Sequence, residues 1–400
     1  AMGKGALDAN TTGGSNTALG TDALSANTTA SNNTAIGKGA ADANTTGASL
    51  VAIGVNALGT NTTGANNVGI GVDALNANTT GAGSVAVGTS AMAANTTGAN
   101  NTAVGTGSLD ANTTGARNVA IGENSLTTNT TANDNVAVGK SALQDNTTGA
   151  LNTAVGTSAL QANTTAASNQ AFGRRALYTN TTGTENNAFG YLALLSNTSG
   201  SYNVGVGVNA LGANTTADNN TAVGTAALAA NTTGTSNTAV GQGSLDACTT
   251  GDVNTAVGAG ALGAVTTADA NTAVGQGAGQ RITTGHSNTL SGRDCAVQIT
   301  TGSNNTAMGF NSLVVATTVG DNTAFGKEAL QNTSGAGNTG LGSAAGANVQ
   351  AGANNTCVGQ GSGNNSSPSG NIGSGNNIVV LGNNSIATAK IKVDWTVTSD

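Results

Sequence analysis

The chain has 400 residues, of which 61 are glycine and 1 is proline, and its hydrophobic fraction of 37% includes only 2% aromatic residues. Such small side chains exclude a thick globular core, but they are compatible with a narrow core shared along a repeated structure. The 18 acidic residues outnumber 11 scattered basic ones, which argues against the continuous positive surface that a nucleic acid or an anionic membrane requires. No apolar run approaches the roughly 20 residues that insert into a membrane as a spanning helix.

A glycine recurs every 17 residues from Gly3 to Gly326 and, after one step of 16, at Gly342 and Gly359, which makes 22 copies of one repeat. A fixed short period is the signature of a solenoid, in which each repeat buries its apolar face only by stacking on its neighbours. Disordered segments keep no strict apolar period. The repeat therefore favours an ordered fold.

We number one repeat from its leading asparagine, so that positions 1 to 17 run from Asn118 to Asp134. Position 4, which is Ile121 in this copy, is apolar in nearly every copy, and we expect it to be a core position. Position 9, here Leu126, is predicted as a second core position. Position 3 is almost always alanine, as at Ala120, which predicts that a neighbour, such as another subunit, packs closely against it.

The repeat is rich in threonine and valine and punctuated by glycine, which predicts two or three short strands per turn rather than helices. Gly105, Gly122 and Gly139 stand where the chain bends sharply, because glycine avoids the steric cost of a Cβ at positive φ. The predicted fold class is all-β, a parallel β-solenoid or β-roll of about 22 turns of 17 residues. Turns about 4.8 Å apart would extend it over about 105 Å.

Charged residues test this interpretation. Of the 29 charged residues 25 lie in the repeats, and all 25 stand at position 6, 7, 10, 11, 16 or 17. Because ionised groups are excluded from buried positions unless they are paired, these six positions are predicted to be the exposed corners of each turn.

The triplet Asn-Thr-Thr occupies positions 12 to 14 in most copies, and each triplet matches the acceptor pattern for N-glycosylation. In later copies position 12 becomes Cys248, Val265 or Ile282, which indicates an inward side chain. We therefore favour a buried ladder of amides over glycosylation. The predicted ladder includes Asn112, Asn129 and Asn146.

With that asparagine inward, the threonine at position 13 is expected to face outward, as at Thr113 and Thr130. These hydroxyls could be bare, packed on another subunit or O-glycosylated. Outward threonine columns also occur on ice-binding solenoids, but those faces commonly alternate T-x-T, whereas adjacent threonines point to opposite sides of one strand.

Nothing in the sequence indicates catalysis or a cofactor. Cys248, Cys295 and Cys357 stand at three different repeat positions and are interpreted as small buried apolar residues rather than a disulfide framework or a zinc site. The single histidine, His286, stands at a corner position. No nucleophilic triad, paired carboxylate or phosphate loop is evident, so we expect a protein that is not an enzyme.

The runs Asn-Val-Ala-Ile-Gly at 118–122 and Ser-Val-Ala-Val-Gly at 84–88 resemble the repeats in head domains of trimeric autotransporter adhesins. The resemblance covers residues 1–359 and implies a left-handed parallel β-roll that assembles as a homotrimer. The period of 17 residues is longer than in that family. Similar repeats also look like those of phage tail fibres and other extracellular appendages.

The end of the chain differs from the repeats. Residues 360–376 form a predicted Gly/Ser/Asn-rich linker, and residues 377–400 a capping strand in which Trp395 is the largest apolar anchor. The runs Asn-Ile-Val-Val-Leu-Gly-Asn-Asn-Ser at 377–385 and Val-Asp-Trp-Thr-Val-Thr-Ser-Asp at 393–400 resemble the junction before the endosialidase-type intramolecular chaperone of phage tailspikes and fibres. That resemblance implies a following chaperone domain and self-cleavage between Ser399 and Asp400.

The predicted function is that of a homotrimeric structural fibre, extracellular or on a virion, that gives reach and surface attachment, with a cell-surface glycan or a host receptor as the partner. The alternatives are an ice- or glycan-binding module and a fragment of a tailspike-type glycan hydrolase. Either alternative would be sought in the irregular turns from Gly275 to Gly309. Those turns contain Arg281, His286, Arg293 and Asp294.

Overall fold

The computed structural model describes residues 1–365 and 370–386. These residues form short parallel strands joined by turns, so the predicted all-β parallel β-solenoid is confirmed. The chain divides into two compact units, Ala1–Thr235 and Ser236–Asp400, called unit 1 and unit 2.

Each turn contributes one strand of three residues at repeat positions 2 to 4, rather than the two or three strands expected from the sequence. In unit 1 the strands are β1 (Thr17–Leu19), β2 (Thr34–Ile36), β3 (Val51–Ile53), β4 (Val68–Ile70), β5 (Val85–Val87), β6 (Thr102–Val104), β7 (Val119–Ile121), β8 (Val136–Val138), β9 (Thr153–Val155), β10 (Gln170–Phe172), β11 (Asn187–Phe189), β12 (Val204–Val206) and β13 (Thr221–Val223). In the described part of unit 2 they are β14 (Thr238–Val240), β15 (Thr255–Val257), β16 (Thr272–Val274), β17 (Thr289–Ser291), β18 (Thr306–Met308), β19 (Thr323–Phe325), β20 (Thr339–Leu341), β21 (Thr356–Val358) and β22 (Val379–Leu381).

Within each unit every strand pairs in parallel with its copy one turn away. Ala103 of β6 is opposite Ala120 of β7, which is opposite Ala137 of β8. The offset is 17 residues along most of the chain; it is 16 between β19 and β20, and 23 between β21 and β22. Each repeat position therefore forms a column of equivalent side chains along the unit.

Backbone turns at a few fixed positions close each repeat. In the copy from Asn118, positive φ angles occur at Gly122 (131°), Asn124 (55°), Leu126 (53°) and Asp134 (60°), and the same positions recur in the other turns. Leucine rarely adopts a left-handed conformation, because its Cβ approaches the following carbonyl. The burial of Leu126 and its equivalents offsets that cost in turn after turn.

The core of each turn is narrow and partly polar. In the same copy, the side chains that are fully or almost fully buried are Asn118, Ala120, Ser125, Leu126, Asn129 and Ala132. Position 9 is therefore a core position, as expected. The prediction for position 4 is wrong: Ile121 is 40% exposed, because the middle residue of the strand, Ala120, points inward and its two neighbours point outward.

The small residue at position 3 is explained within the chain, not by another subunit. A Cβ placed on Gly69 would lie 3.2 Å from Cγ of Leu58, and one on Gly205 would lie 3.3 Å from Cγ of Leu194. Each of these leucines stands at position 9 of the preceding turn. A small residue at position 3, alanine or glycine, therefore leaves space inside the turn for the leucine side chain.

One pair of turns in unit 2 reverses this arrangement. Position 9 is Gly279 instead of leucine, and position 3 of the next turn is Leu290, which is 1% exposed. A Cβ on Gly279 would lie 2.7 Å from Cδ1 of Leu290. The large side chain is at the facing position, so one leucine still occupies the space between positions 9 and 3 of these two turns.

Near the end of the described chain, β22 adds a further strand beside β21, with Val380 opposite Cys357. The predicted strand around Trp395 and the sole proline, Pro368, lie outside the described residues. The boundaries proposed for the shaft (1–359), the linker (360–376) and the capping segment (377–400) stay a prediction.

Candidate functional site

The asparagines at position 12 form a continuous column inside unit 1. Asn112 Nδ2 donates to Asn95 Oδ1 at 2.8 Å and to the carbonyl of Gly115 at 2.9 Å. Asn129 Nδ2 donates to Asn112 Oδ1 at 2.9 Å, and Asn146 Nδ2 donates to Asn129 Oδ1 at 3.1 Å. The structure therefore places the predicted ladder residues in one hydrogen-bonded column, where the amides are fully buried.

A second column of asparagines, at position 1, was not predicted from the sequence. Asn118 Nδ2 donates to the carbonyl of Ala132 at 2.8 Å, and Asn118 Oδ1 accepts the backbone N–H of Asn135 at 3.0 Å. Unit 2 contains an equivalent column of asparagines at position 1, although its position 12 is apolar in most turns. The signal was the recurrence of asparagine at position 1 in nearly every copy.

The threonine at position 13 does not present a free hydroxyl. Thr113 is half-buried and its Oγ1 donates to the carbonyl of Thr130 at 3.0 Å, while Thr130 Oγ1 donates to the carbonyl of Thr147 at 3.3 Å. The outward threonine is at position 14, as at Thr114. The expectation that Thr113 and Thr130 face outward is therefore corrected, and these two side chains are poorer candidates for O-glycosylation than position 14.

The glycines at position 5 stack too closely to admit any other residue. A Cβ on Gly122 would lie 2.6 Å from the carbonyl oxygen of Gly139, and one on Gly105 would lie 2.7 Å from that of Gly122. Gly139 meets Gly156 in the same way. These glycines let the turns approach to strand spacing at the corner after each strand.

Position 4 forms an apolar stripe on the outer face of the strands. In unit 1 the stripe consists of Leu19, Ile36, Ile53, Ile70, Val87, Val104, Ile121, Val138, Val155, Phe172, Phe189, Val206 and Val223. All thirteen are exposed or intermediate, and Phe172 and Phe189 stack with ring centroids 4.8 Å apart. This outer stripe carries the large apolar side chains that the sequence reasoning assigned to the core.

One corner of unit 1 departs from the repeat by carrying arginines beside tyrosines. The guanidinium of Arg174 lies 5.8 Å from the ring centre of Tyr191, and that of Arg175 lies 5.2 Å from the ring centre of Tyr178. We call these four residues the Arg–Tyr corner. The interpretation of all basic residues as scattered is corrected here, because Arg174 and Arg175 are adjacent.

In unit 2 a polar groove of about 630 Å³ opens where Gly243, Gly260 and Gly263 leave a corner without side chains. Asp246, Gln280 and Arg281 also line it. Partial burial raises the pKa of the Asp246 carboxyl. Carboxylate, amide and guanidinium groups in one groove can hydrogen-bond a polar ligand.

The irregular turns do not bring their notable residues together. Arg281 lines the polar groove, whereas His286 stands at an exposed corner position with its Nδ1 3.5 Å from Ser287 Oγ. Arg293 pairs with Asp294 at 3.2 Å and lies 4.6 Å from the ring centre of Phe310. The four residues singled out from the sequence therefore belong to three separate local arrangements.

The three cysteines are free thiols in the interior. Burial raises the pKa of Cys248, Cys295 and Cys357 to about 11, so each thiol stays protonated at neutral pH. In the part of the chain that the structure describes, no group of three or more His, Cys, Asp and Glu side chains could hold a metal ion.

The predicted cleavage junction, Ser399 and Asp400, lies outside the described residues. Across residues 1–365 and 370–386, no helix is long and apolar enough to cross a membrane. No protein-family model and no curated protein matches the chain.

Proposed function

We propose that the chain is the shaft of an extracellular or virion fibre in which parallel copies associate through their position-4 stripes. Its function is mechanical: it gives reach and holds attachment sites away from the body that carries it. The observation that supports this role is the outward stripe of large apolar side chains in every turn of unit 1.

The size of the stripe supports a partner. The thirteen position-4 side chains lie one per turn, and with turns about 4.8 Å apart they extend over about 58 Å. Because alternate residues of a strand point to the same face, each side chain occupies a width of about 7 Å. The stripe therefore covers about 400 Å². Contiguous apolar patches of this size on a soluble surface commonly mark an interaction site. Position 2, which shares this face, is half-buried valine or threonine in most turns and widens the strip.

The regular spacing of the stripe favours another copy of the same chain as that partner. The position-4 side chains of successive turns are separated by the spacing between strands. A second copy lying parallel has side chains at the same spacing, so the two stripes can interdigitate along the whole unit. A partner without this period would match only a few rows. Three copies around one axis is the number implied by the resemblance to trimeric autotransporter heads.

Light scattering tests this assembly. We expect the full chain to have three times its mass of 37.9 kDa in solution. A triple variant, Val104→Lys, Ile121→Lys and Val138→Lys, charges the stripe and should be monomeric with an unchanged circular dichroism spectrum, because these side chains do not fill the core of the turn.

The matched control places the same three charges on the exposed position-14 column, as Thr97→Lys, Thr114→Lys and Thr131→Lys. This control should remain trimeric. A wild-type chain that is monomeric, or a stripe variant that is still trimeric, would contradict the proposed assembly.

An ice-binding function is the second candidate, because the exposed threonines at position 14 form a regular column. The hydroxyl at position 13 donates to a backbone carbonyl, which removes that column from an ice-binding face and makes the candidate weaker. Ice binding is tested by measuring the thermal hysteresis of the purified chain. If the wild type inhibits the growth of ice and the triple variant Thr97→Lys/Thr114→Lys/Thr131→Lys does not, ice binding is favoured over the fibre role.

A further inference from the structure

Aromatic residues are concentrated in two turns of unit 1. The chain has 3 tyrosines and 4 phenylalanines, and five of these seven lie between residues 172 and 202. In a chain with 2% aromatic residues such a concentration is a departure from the repeat, not a property of it. The two adjacent arginines of the chain, Arg174 and Arg175, lie in the same two turns.

The repeat positions explain how the Arg–Tyr corner forms. Arg174 and Tyr191 both stand at position 6 in successive turns, so the stacking of turns places the guanidinium beside the ring. Arg175 and Tyr178 stand at positions 7 and 10 of one turn, on the same corner. Arg174, Arg175 and Tyr191 are exposed, with Tyr191 at 43%, and Tyr178 is half-buried.

The charge of this corner is unbalanced. Between Asp145 and Asp218 the only other charged residue is Glu185, which stands at position 17, away from positions 6 to 10. The four ion pairs seen among the described residues include neither Arg174 nor Arg175. A protein with a net charge of −7 thus carries a local positive site with two guanidinium groups.

Contacts with a tyrosine ring leave the guanidinium groups able to bind an anion. An arginine stacked on a ring keeps its N–H donors at the edge of the guanidinium plane, where they match the two oxygens of a carboxylate. Tyrosine and arginine are also the residues most often found at the energetic centre of binding sites. The combination suits a ligand with both a carboxylate and a flat apolar face.

We propose that the Arg–Tyr corner binds an acidic saccharide, with the sugar carboxylate on Arg174 and Arg175 and a C–H face of the ring on Tyr191 or Tyr178. A pyranose with a carboxylate offers both features within one ring. A nucleic acid is disfavoured, because its phosphate backbone requires a longer positive track than two arginines. The inference deepens the attachment role and rests on it for its biological meaning, but the site itself is formed by one chain.

Binding of the full chain to immobilised polygalacturonate, measured by biolayer interferometry, tests the site. Neutral dextran and dextran sulfate are the comparison surfaces. We expect binding to polygalacturonate, no binding to dextran, and about tenfold weaker binding to polygalacturonate in Arg174→Gln/Arg175→Gln. Tyr178→Ala/Tyr191→Ala should weaken binding similarly, although it leaves the charge unchanged.

Two matched controls separate this site from general charge and from general loss of aromatic surface. Arg117→Gln/Lys140→Gln removes two positive charges elsewhere in unit 1, and Tyr202→Ala removes an exposed tyrosine at another corner. Both controls should bind polygalacturonate as the wild type does. Circular dichroism should be the same for all variants, since the substituted side chains lie at corners.

Several results would overturn the proposal. One is absence of binding to polygalacturonate; another is equal binding to dextran sulfate with no effect of the tyrosine variant, which would indicate charge alone. Preferential binding of an acidic peptide would assign the corner to a protein partner instead. If the chain is monomeric and binds polygalacturonate, the trimer is contradicted and the saccharide site is supported. If the chain is trimeric and does not bind polygalacturonate, the saccharide site is contradicted and the trimer is supported.

Discussion

Asn112 lies in a column of stacked amides, where its side chain donates to Asn95 in the preceding turn and accepts from Asn129 in the following turn. A buried amide is stable there because its polar atoms are satisfied, and the same position accommodates buried Val265 and Ile282 in unit 2. The column therefore requires a side chain that is either fully hydrogen-bonded or apolar. A charged side chain at this position is neither.

We predict that Asn112→Val folds with a loss of about 1 to 2 kcal/mol, whereas Asn112→Asp loses about 3 to 5 kcal/mol at pH 7. A carboxylate cannot donate to Asn95 Oδ1 or to the carbonyl of Gly115, and it has no cation beside it. Thermal or denaturant unfolding of the two variants provides the comparison.

The pH dependence of these two variants gives an independent check. Burial raises the pKa of a carboxyl in the folded state, so the charge penalty in Asn112→Asp is absent below about pH 4, where the introduced carboxyl is protonated in both states. The penalty then grows as the pH rises towards the raised pKa. Asn112→Val should show no such difference between pH 3 and pH 7; equal stability of both variants at pH 7 would mean that the column is not closed to water.

At the scale of one turn, the packing of position 3 against position 9 determines which residues each turn can accept. The exchange at Gly279 and Leu290 implies that the two positions share one volume. Gly279→Leu alone should clash with Leu290, and Leu290→Ala alone should leave a cavity costing about 2 to 4 kcal/mol.

The double variant Gly279→Leu/Leu290→Ala restores the arrangement of most turns and should be close to the wild type in stability. A double-mutant cycle measured by chemical denaturation gives the coupling, which we expect to exceed about 2 kcal/mol. Additive effects of the two substitutions would show that these side chains do not compete for the same space.

The sequence was sufficient to predict the repeat length, the parallel stacking and the leucine of the core, whereas positions 10 and 11, expected at exposed corners, are half-buried in most turns. It was not sufficient to orient the strand. In a strand of three residues only the middle side chain points inward, which is Ala120 in β7. The sequence pattern instead predicted that Ile121 is buried, because large apolar side chains are usually found in the core. The interior is too narrow for both Leu126 and a second large side chain, so the small residue points inward.

The Arg–Tyr corner was missed for a different reason. Arg174 and Arg175 stand at corner positions that charge placement had already identified as exposed. A pattern shared by 22 repeats gives no signal for a feature that is confined to two of them. The proximity of the arginines to the tyrosines follows from the stacking of turns, which is visible only once the register is fixed.

At the scale of the whole molecule, stability should be close to a sum of contributions from neighbouring turns. Deletion of residues 119–135 removes one period of 17 residues and joins Asn118 to Val136, which preserves every column in unit 1. We predict that this chain folds with a melting temperature only a few degrees below that of the wild type.

Deletion of residues 119–134 is the matched control, since it removes one residue fewer and inserts an extra asparagine before the next strand. The control should destabilise the adjacent turns, because a shift by one residue turns inward side chains outward. Circular dichroism and thermal unfolding compare the two. If both deletions are equally harmful, nearest-neighbour stacking does not describe the molecule.

The two hydrogen-bonded columns at positions 12 and 13 have opposite polarity. The amide of Asn112 donates towards the preceding turn, whereas the hydroxyl of Thr113 donates towards the following one. Their dipoles are therefore antiparallel and partly cancel, unlike the peptide dipoles of an α-helix, which add along its axis. Each added turn therefore extends two opposed columns of dipoles instead of one aligned column.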